Sequence, residues 1–351
     1  MIGTEAWLES FEKCHVLVVG DLMLDEYRRG HVERISPEAP VPILSVVAWD
    51  ATLGGAGNVV KNLRSLNVGV TVVGILGDDD TGEQVLKGLA AMGVSGSGVV
   101  KDARRVSTRK VRFVSMEHGQ QVFRADEETA QEVSGEIEEQ IIRQVREKAA
   151  NAQVILCSDY LKGVLTAKVL KAAFEAGRER KVPVIVAPKD EEVQKYVGAS
   201  ILMPNLKELS RLVGTPMDGD AWLMDSAGHL TMSLGLEALL VTRGSEGMTL
   251  FEPEETKLRR LDIPTVARKI YDVTGAGDTA LAVFSAGIAC GATREVAAQL
   301  ANVAAGVVVG KQGTAVVTAE EILDHVEKGE SESLGAQETP GILRSLSWQM
   351  K

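Results

Sequence analysis

Residues 16–21, VLVVGD, and residues 154–159, VILCSD, decide the fold. Each is an unbroken apolar run that ends in a small residue and an acid. A strand with one wet face would alternate; a run like this is covered on both faces, as in a parallel sheet. The same rhythm continues outward. Strands are expected at 16–19, 70–75, 154–157, 184–187, 201–203, 238–242 and 248–251, with helical periodicity near 58–66, 81–92, 134–150, 165–179, 205–213 and 278–289. Strands alternating with helices predict an α/β fold, one sheet with helices on both sides.

Residues 25–50 and 105–125 break that rhythm. The first holds Pro37, Pro40 and Pro42 between strand-like segments, and the second alternates without helical spacing. Both read as strands outside the central sheet, so a small inserted accessory sheet is expected. No internal repeat is present. Residues 1–328 are expected to form one domain with lid segments near 25–50 and 105–125, and the stretch 329–351 reads as a C-terminal tail.

The chain has 351 residues, 38 Lys+Arg against 49 Asp+Glu, and a net charge of −11. That balance argues against a protein built to hold nucleic acid or an anionic membrane. The acidic N-terminus does not fit a signal peptide and no apolar run nears the ~20 residues of a membrane span, so a cytoplasmic location is expected. Cys14, Cys157 and Cys290 are too scattered for a disulfide framework or a zinc cluster. Glycine is in excess, 35 of 351, against a usual ~7%, so many backbone positions want unusual φ or close approach.

The strongest local signal is Asp272-Val-Thr-Gly-Ala-Gly-Asp278, ahead of an apolar helix. A small-residue loop opening a helix gathers N–H groups that suit an anion or a phosphate in transfer. Asp278 would then orient or deprotonate an attacking hydroxyl; a tight turn with a helix-start acid has the same pattern. Leu53-Gly-Gly-Ala-Gly-Asn58 either admits a polyhydroxyl ligand, with Asn58 as donor and acceptor, or is a flexible helix start. It lacks the third glycine of a dinucleotide fingerprint. Met203-Pro-Asn-Leu-Lys-Glu208 places Asn205 and Glu208 at i, i+3 on the carboxyl edge of the sheet. They form a water-mediated Mg²⁺ site or a plain capping box. Val241-Thr-Arg-Gly-Ser-Glu-Gly247 is a hairpin turn or a nucleotide wall. Gly306-Val-Val-Val-Gly310-Lys311 has too few spacers for a P-loop and no Ser/Thr after the lysine. A helix C-terminus with Lys311 on its dipole fits better.

One basic segment stands against the acidic background. Residues 101–112 hold Lys101, Arg104, Arg105, Arg109, Lys110 and Arg112 against Asp102, a local +5. Strand alternation puts Lys110 and Arg112 on one face, which suits a substrate phosphate or blunts an exposed strand. The five histidines show no metal spacing, and the sparse aromatics offer no stacking platform for nucleic acid.

Taken in order, these motifs resemble the ribokinase/PfkB carbohydrate kinases along nearly all of residues 12–325. The order is Gly20-Asp21 with Asp25 beyond it, Gly54-Gly55…Asn58, Asn205-x-x-Glu208, Thr242-x-Gly244-x-x-Gly247, then Gly275-Ala-Gly-Asp278. Within that family, the stretches 34–42, 120–126, 158–163 (SDYLKG), 271–278 and 306–314 look like those of heptose 7-phosphate kinases. The resemblance implies a ribokinase-like Rossmann-type core with a small β-sheet lid, often a homodimer clasp. It implies ATP-dependent phosphorylation of the anomeric hydroxyl of D-glycero-β-D-manno-heptose 7-phosphate to the 1,7-bisphosphate, on the way to ADP-heptose for lipopolysaccharide. Ending at 351, the chain is similar to the form without the nucleotidyltransferase domain that follows in many relatives.

By the same resemblance Asp278 is the general base, and the N–H groups of Gly275, Ala276 and Gly277 form the anion hole. Asn205 and Glu208 organise Mg²⁺–ATP, while Lys189, Thr242, Gly244, Gly247 and Asn302 line the nucleotide pocket. Asp25, Gly54, Gly55 and Asn58 hold the sugar, with Lys110, Arg112 and Arg124 near its 7-phosphate. A monovalent cation is a further candidate ligand. The chain departs from the family at Ala187-Pro-Lys-Asp190, where an aspartate usually stands at 187, and at Glu26-Tyr-Arg28, where an inward acid would weaken phosphosugar binding. A kinase for another sugar phosphate or nucleoside, or a non-catalytic sugar-binding protein, are the other readings.

Overall fold

A computed structural model describes residues 3–335 except 118, 256, 268, 269 and 312, and for 328–335 only their helix. His118, Gln312 and the stretch 336–351 of the expected tail lie outside the described residues. The strands are β1 (His15–Gly20), β2 (Leu22–Ile35), β3 (Pro42–Gly55), β4 (Gly69–Leu76), β5 (Val99–Lys101), β6 (Thr108–Ser115), β7 (Gln121–Glu127), β8 (Val154–Ser158), β9 (Val184–Ala187), β10 (Ile201–Leu202), β11 (Ala238–Thr242), β12 (Met248–Glu254) and β13 (Lys257–Ile263). The helices are α1 (Thr4–Ser10), α2 (Ala56–Ser65), α3 (Asp80–Ala91), α4 (Gly135–Lys148), α5 (Ala167–Arg180), α6 (Leu206–Val213), α7 (Gly219–Leu234), α8 (Ala276–Ala289), α9 (Arg294–Val308) and α10 (Ala319–Gly335).

Nine strands form one sheet in the order β13-β12-β11-β10-β9-β8-β1-β4-β5. It is parallel from β5 to β11 and antiparallel at the β12–β13 edge. The apolar runs divide by alternation. Val16 and Val18 enter the core beneath α2, α8 and α9, while Leu17 and Val19 enter the one beneath α4, α5 and α7. Both faces are thus sealed, as the unbroken runs require.

The accessory sheet exists and has four strands, in the order β3-β2-β6-β7. Strand β2 leaves the core one residue after β1 and runs into it; Pro37 and Pro40 lie in the turn before β3, and Pro42 opens that strand. Helix α7 was not expected, and of α9 only its C-terminal end, just before Lys311, was. The buried stripe of α7, Leu223, Ala227, Leu230 and Leu234, is helical in spacing, but Trp222, Met224 and Met232 off the stripe blur it. Helix α9 is buried nearly all round, Val296 to Ala304, so no polar face marks its period. Helix α10 carries the chain past the expected boundary at 328.

Candidate active site

Strand order reverses at β1, whose neighbours are β4 on one side and β8 on the other. Loops at the carboxyl ends of β1 and β8 part there, and such switch points hold ligands in open α/β sheets. A cavity of about 180 Å³ opens beside this point, lined among others by Tyr160, Lys189, Asn205, Glu208, Thr242 and Asp278. A larger concavity, about 1120 Å³, lies at the amino ends of β9 and β10. Its Arg259 and Arg294 are already paired with Glu252, Glu295 and Glu237. The smaller cavity carries the convergent polar groups.

Asp278 stands in the first turn of α8. Asn58 Nδ2 donates to its Oδ2 (2.8 Å) and the Tyr160 hydroxyl to its Oδ1 (2.5 Å). Burial among protein atoms pushes its carboxyl above the usual range, against the pull of those two bonds and of Lys189. Gly275 precedes the helix at φ 84°, and a Cβ there would sit 2.9 Å from Asn58 Nδ2. Ala276 N–H turns back to Val273 O (3.3 Å), while Gly277 N–H has no backbone acceptor among the described residues. Two of the three expected hole donors, Gly275 and Gly277, therefore also line the cavity.

Tyr160 carried no assigned role in the sequence reading. Its signal was its place two residues past the end of β8, facing the end of β1 across the switch point. Asp21, 1% exposed, holds the loop by accepting from the N–H groups of Tyr160, Lys162 and Val164 (2.8, 3.0 and 3.1 Å). Leu161 sits at φ 55°, kept there by its N–H on Asp159 Oδ1 (2.9 Å). Burial raises the Asp159 carboxyl to about 6.

That shift makes a pH prediction. Folded Asp159 keeps its proton where the unfolded chain, near ~4, has lost it. Stability therefore falls as pH rises from the lower value to the upper. Relative to wild type, Asp159→Asn should gain about 2–3 kcal/mol between about pH 4 and about pH 7, read by urea unfolding. A gap that stays flat with pH counts against it.

On the far side of the cavity Asn205 and Glu208 close a full capping box, 2.9 Å each way. The other oxygen of Glu208 accepts from Lys189 Nζ (2.7 Å), and Thr242 bridges to Asn205. Gly244 and Gly247 form the turn between β11 and β12, outside the cavity lining. Asn302 is buried and donates to Pro264 O (2.8 Å), also outside it. Lys311 does not cap the α9 dipole; its ammonium donates to Val316 O (2.7 Å) and pairs with Glu321 (2.5 Å). At the family departure, Asp190 pairs with Lys195 (2.7 Å).

Lid register sorts the charges. Thr52, Asp25, Lys110 and Asp126 form one row across the four strands, and Tyr27, Arg112 and Arg124 the next on the same face. Asp25 lies on Gly54, where a Cβ would stand 2.3 Å from its Oδ2, so this glycine admits a carboxylate of the chain itself. Glu26 points the other way and pairs with Arg28 and Arg109, which removes the expected penalty at the sugar. The +5 segment is not a free basic patch. Lys101, Arg104, Arg109 and Arg112 are paired with acids, Arg112 with Asp25 at 2.5 Å, and Arg105 holds backbone carbonyls. Lys110 is left, half-buried, its ammonium pushed down by burial and by Lys162. Lys61, one turn after Asn58, was also missed; it reaches Thr52 Oγ1 (2.6 Å) and Thr314 O (3.2 Å) beside Asp25 and Asp278.

No helix among the described residues is long and apolar enough to cross a membrane, and they contain no group of three or more His, Cys, Asp or Glu placed to hold a metal. The pfkB family carbohydrate kinase model matches residues 13–321. The chain is 47% identical over 310 residues to the bifunctional protein HldE of Geotalea uraniireducens, covering 88% of this chain and 62% of that one. It is 44% identical over 329 residues to the HldE of Citrifermentans bemidjiense, covering 94% and 66%. The chain thus spans about two thirds or less of these relatives' lengths. Among solved structures, Arabidopsis thaliana ribokinase with ribose and ATP superposes with a TM-score of 0.71 at 24% identity, over 89% of this chain and 98% of that one. Escherichia coli phosphofructokinase-2 with potassium gives 0.73 at 20%, over 89% and 97%. Both carry the same fold.

Proposed function

The chain belongs to the PfkB family of carbohydrate kinases, and on that premise we propose that it transfers the γ-phosphate of ATP to the anomeric hydroxyl of D-glycero-β-D-manno-heptose 7-phosphate. The observation that carries a sugar at this site is the buried Oδ1 of Asn58, which has no hydrogen-bond partner. It lies beside the carboxylate that its own Nδ2 holds. A sugar hydroxyl donating to it would relieve a cost of about 1–3 kcal/mol.

Asp278 takes the proton of the anomeric hydroxyl as the new O–P bond forms. The bond from the γ-phosphorus to the bridging oxygen breaks, and its electron pair leaves with ADP. N–H groups at the start of α8 meet the charge on the transferring group. Asp25, Gly54, Gly55 and Asn58 cradle the sugar, and Lys110, Arg112 and Arg124, on the same lid face as Asp25, face its phosphate. Lys189, Thr242, Gly244, Gly247 and Asn302 are assigned to the nucleotide side. Asn205 and Glu208, one amide oxygen and one carboxylate, suit Mg²⁺ held through its water shell; when bound it neutralises charge along the phosphate chain. The lid's opposite face exposes Trp49 and Phe123, the latter stacked on Phe113, and supports a homodimer formed through the lid. Residues 1–328 are read as the kinase unit, with α10 running past that boundary.

ADP release over a panel of phosphosugars, free sugars and nucleosides tests the reading. Heptose 7-phosphate should lead by about 100-fold or more in kcat/KM, since paired charges reject ligands that lack their partner. Equal turnover of a hexose phosphate or nucleoside would overturn the substrate, and no turnover with any would overturn the chemistry.

A further inference from the structure

Tyr160 has more structure devoted to it than a pocket-lining side chain needs. Its backbone is fixed by the deeply buried Asp21, its neighbour Leu161 is held at a positive φ, and its hydroxyl ends 2.5 Å from Asp278 Oδ1. Strain of this kind persists only where surrounding contacts over-determine it. The ring also faces the Lys189 ammonium at 6.0 Å, so the phenol stands between the carboxylate and the nucleotide side. Its proton is not available for transfer, because burial and the adjacent Asp278 hold the phenol far above its usual range.

We propose that Tyr160 is a positioning residue for the proton-accepting carboxylate: its hydroxyl and the Asn58 amide each pin one oxygen of Asp278, which fixes the carboxylate plane and leaves a lone pair on each oxygen free to accept. This rests on Asp278 being the base. A second consequence follows from the surroundings of Asp278. The groups facing it are Asn58 and Lys61 from α2, Asp25 from β2, Tyr160 from the loop after β8, and Lys189 from the loop after β9. Burial and Asp25 favour the protonated acid, while Tyr160, Asn58 and Lys189 favour the carboxylate. Removing the phenol hydroxyl tips that balance toward a protonated carboxyl, which cannot accept the sugar's proton.

Tyr160→Phe tests this through the pH profile of kcat/KM for the phosphosugar. The acid limb should move up by about one pH unit, the size expected when a carboxylate loses one hydrogen bond from a neutral donor. At alkaline pH, where the carboxylate is ionised again, part of the kcat loss should remain because its plane is no longer pinned, and ADP binding should be unchanged. An unmoved limb, or full recovery of kcat at alkaline pH, overturns the proposal. Should the phenylalanine variant not accumulate, a ring-fluorinated tyrosine at 160 keeps ring and hydroxyl while strengthening the donor. The limb should then move to lower pH, and an unmoved limb again overturns it. A wild-type protein with no turnover on any sugar would instead defeat the kinase reading.

Discussion

Asp278→Asn is expected to lose roughly 10³-fold in kcat, since positioned general bases contribute about 10²–10⁴, while sugar and ADP affinities stay within a few-fold. The substitution is nearly isosteric and its neighbours can adapt. The amide oxygen keeps the bond from the Tyr160 hydroxyl. Its NH₂ would then face the Asn58 amide donor, but Asn58 can flip its unpartnered Oδ1 to accept, and its NH₂ then turns to the sugar hydroxyl as a donor in place of the acceptor. The variant removes a charge that burial disfavours, so its thermal midpoint should match or exceed that of wild type. Calorimetric binding, thermal unfolding and steady-state turnover on one preparation check all three; wild-type-like kcat would defeat the assignment of the base.

Gly275→Ala is the second large effect, for two independent reasons. At φ 84° a side chain costs about 1–2 kcal/mol of backbone strain, which appears as lost stability. The new Cβ would also meet Asn58 Nδ2 at 2.9 Å, and Asn58 can yield only by releasing Asp278. Turnover should fall about 10²-fold or more, the range seen when a preorganised donor is displaced. A Gly275→Ala, Asn58→Ala double variant separates the two causes. With the collision gone, the activity losses should be far from additive while the stability losses still add. Additive activity losses would show that the methyl acts elsewhere.

What was legible in the sequence, and what was not, follows from sequence distance. Strand runs such as VLVVGD are local, so the sheet and its two helical layers could be read directly. The proline cluster at 37–42 gave away the lid in the same way. Arg104 finds Asp102 inside the segment, but the other pairings are not local: Asp25 and Arg112 meet because β2 and β6 lie in parallel register, and nothing in 101–112 shows that partner. The alternation that placed Lys110 beside Arg112 was correct, and most of the local +5 is met by acids of the chain. Tyr160 and Lys61 escaped for a related reason. Each gains meaning only from Asp278, 118 positions after Tyr160, and α8 brings that aspartate back to the switch point. Asn205 and Glu208 show the converse, because the capping box visible in the sequence exists and its presence neither assigns nor removes a role toward phosphate.

Strand β2 has one further consequence. It is a single element from Leu22, packed in the core, through Asp25 in the cleft, to the exposed Ile35. At about 3.3 Å per residue, its 14 residues make a beam clamped at one end. No loop interrupts it; its pairing with β3 slips instead between Arg29 and Gly30 and between Val32 and Arg34, where a bulge bends a strand. The clamp is Asp21, the residue that also fixes the 160–164 backbone. The root of the second sheet and the backbone that aims the phenol at Asp278 are therefore tied to one carboxylate.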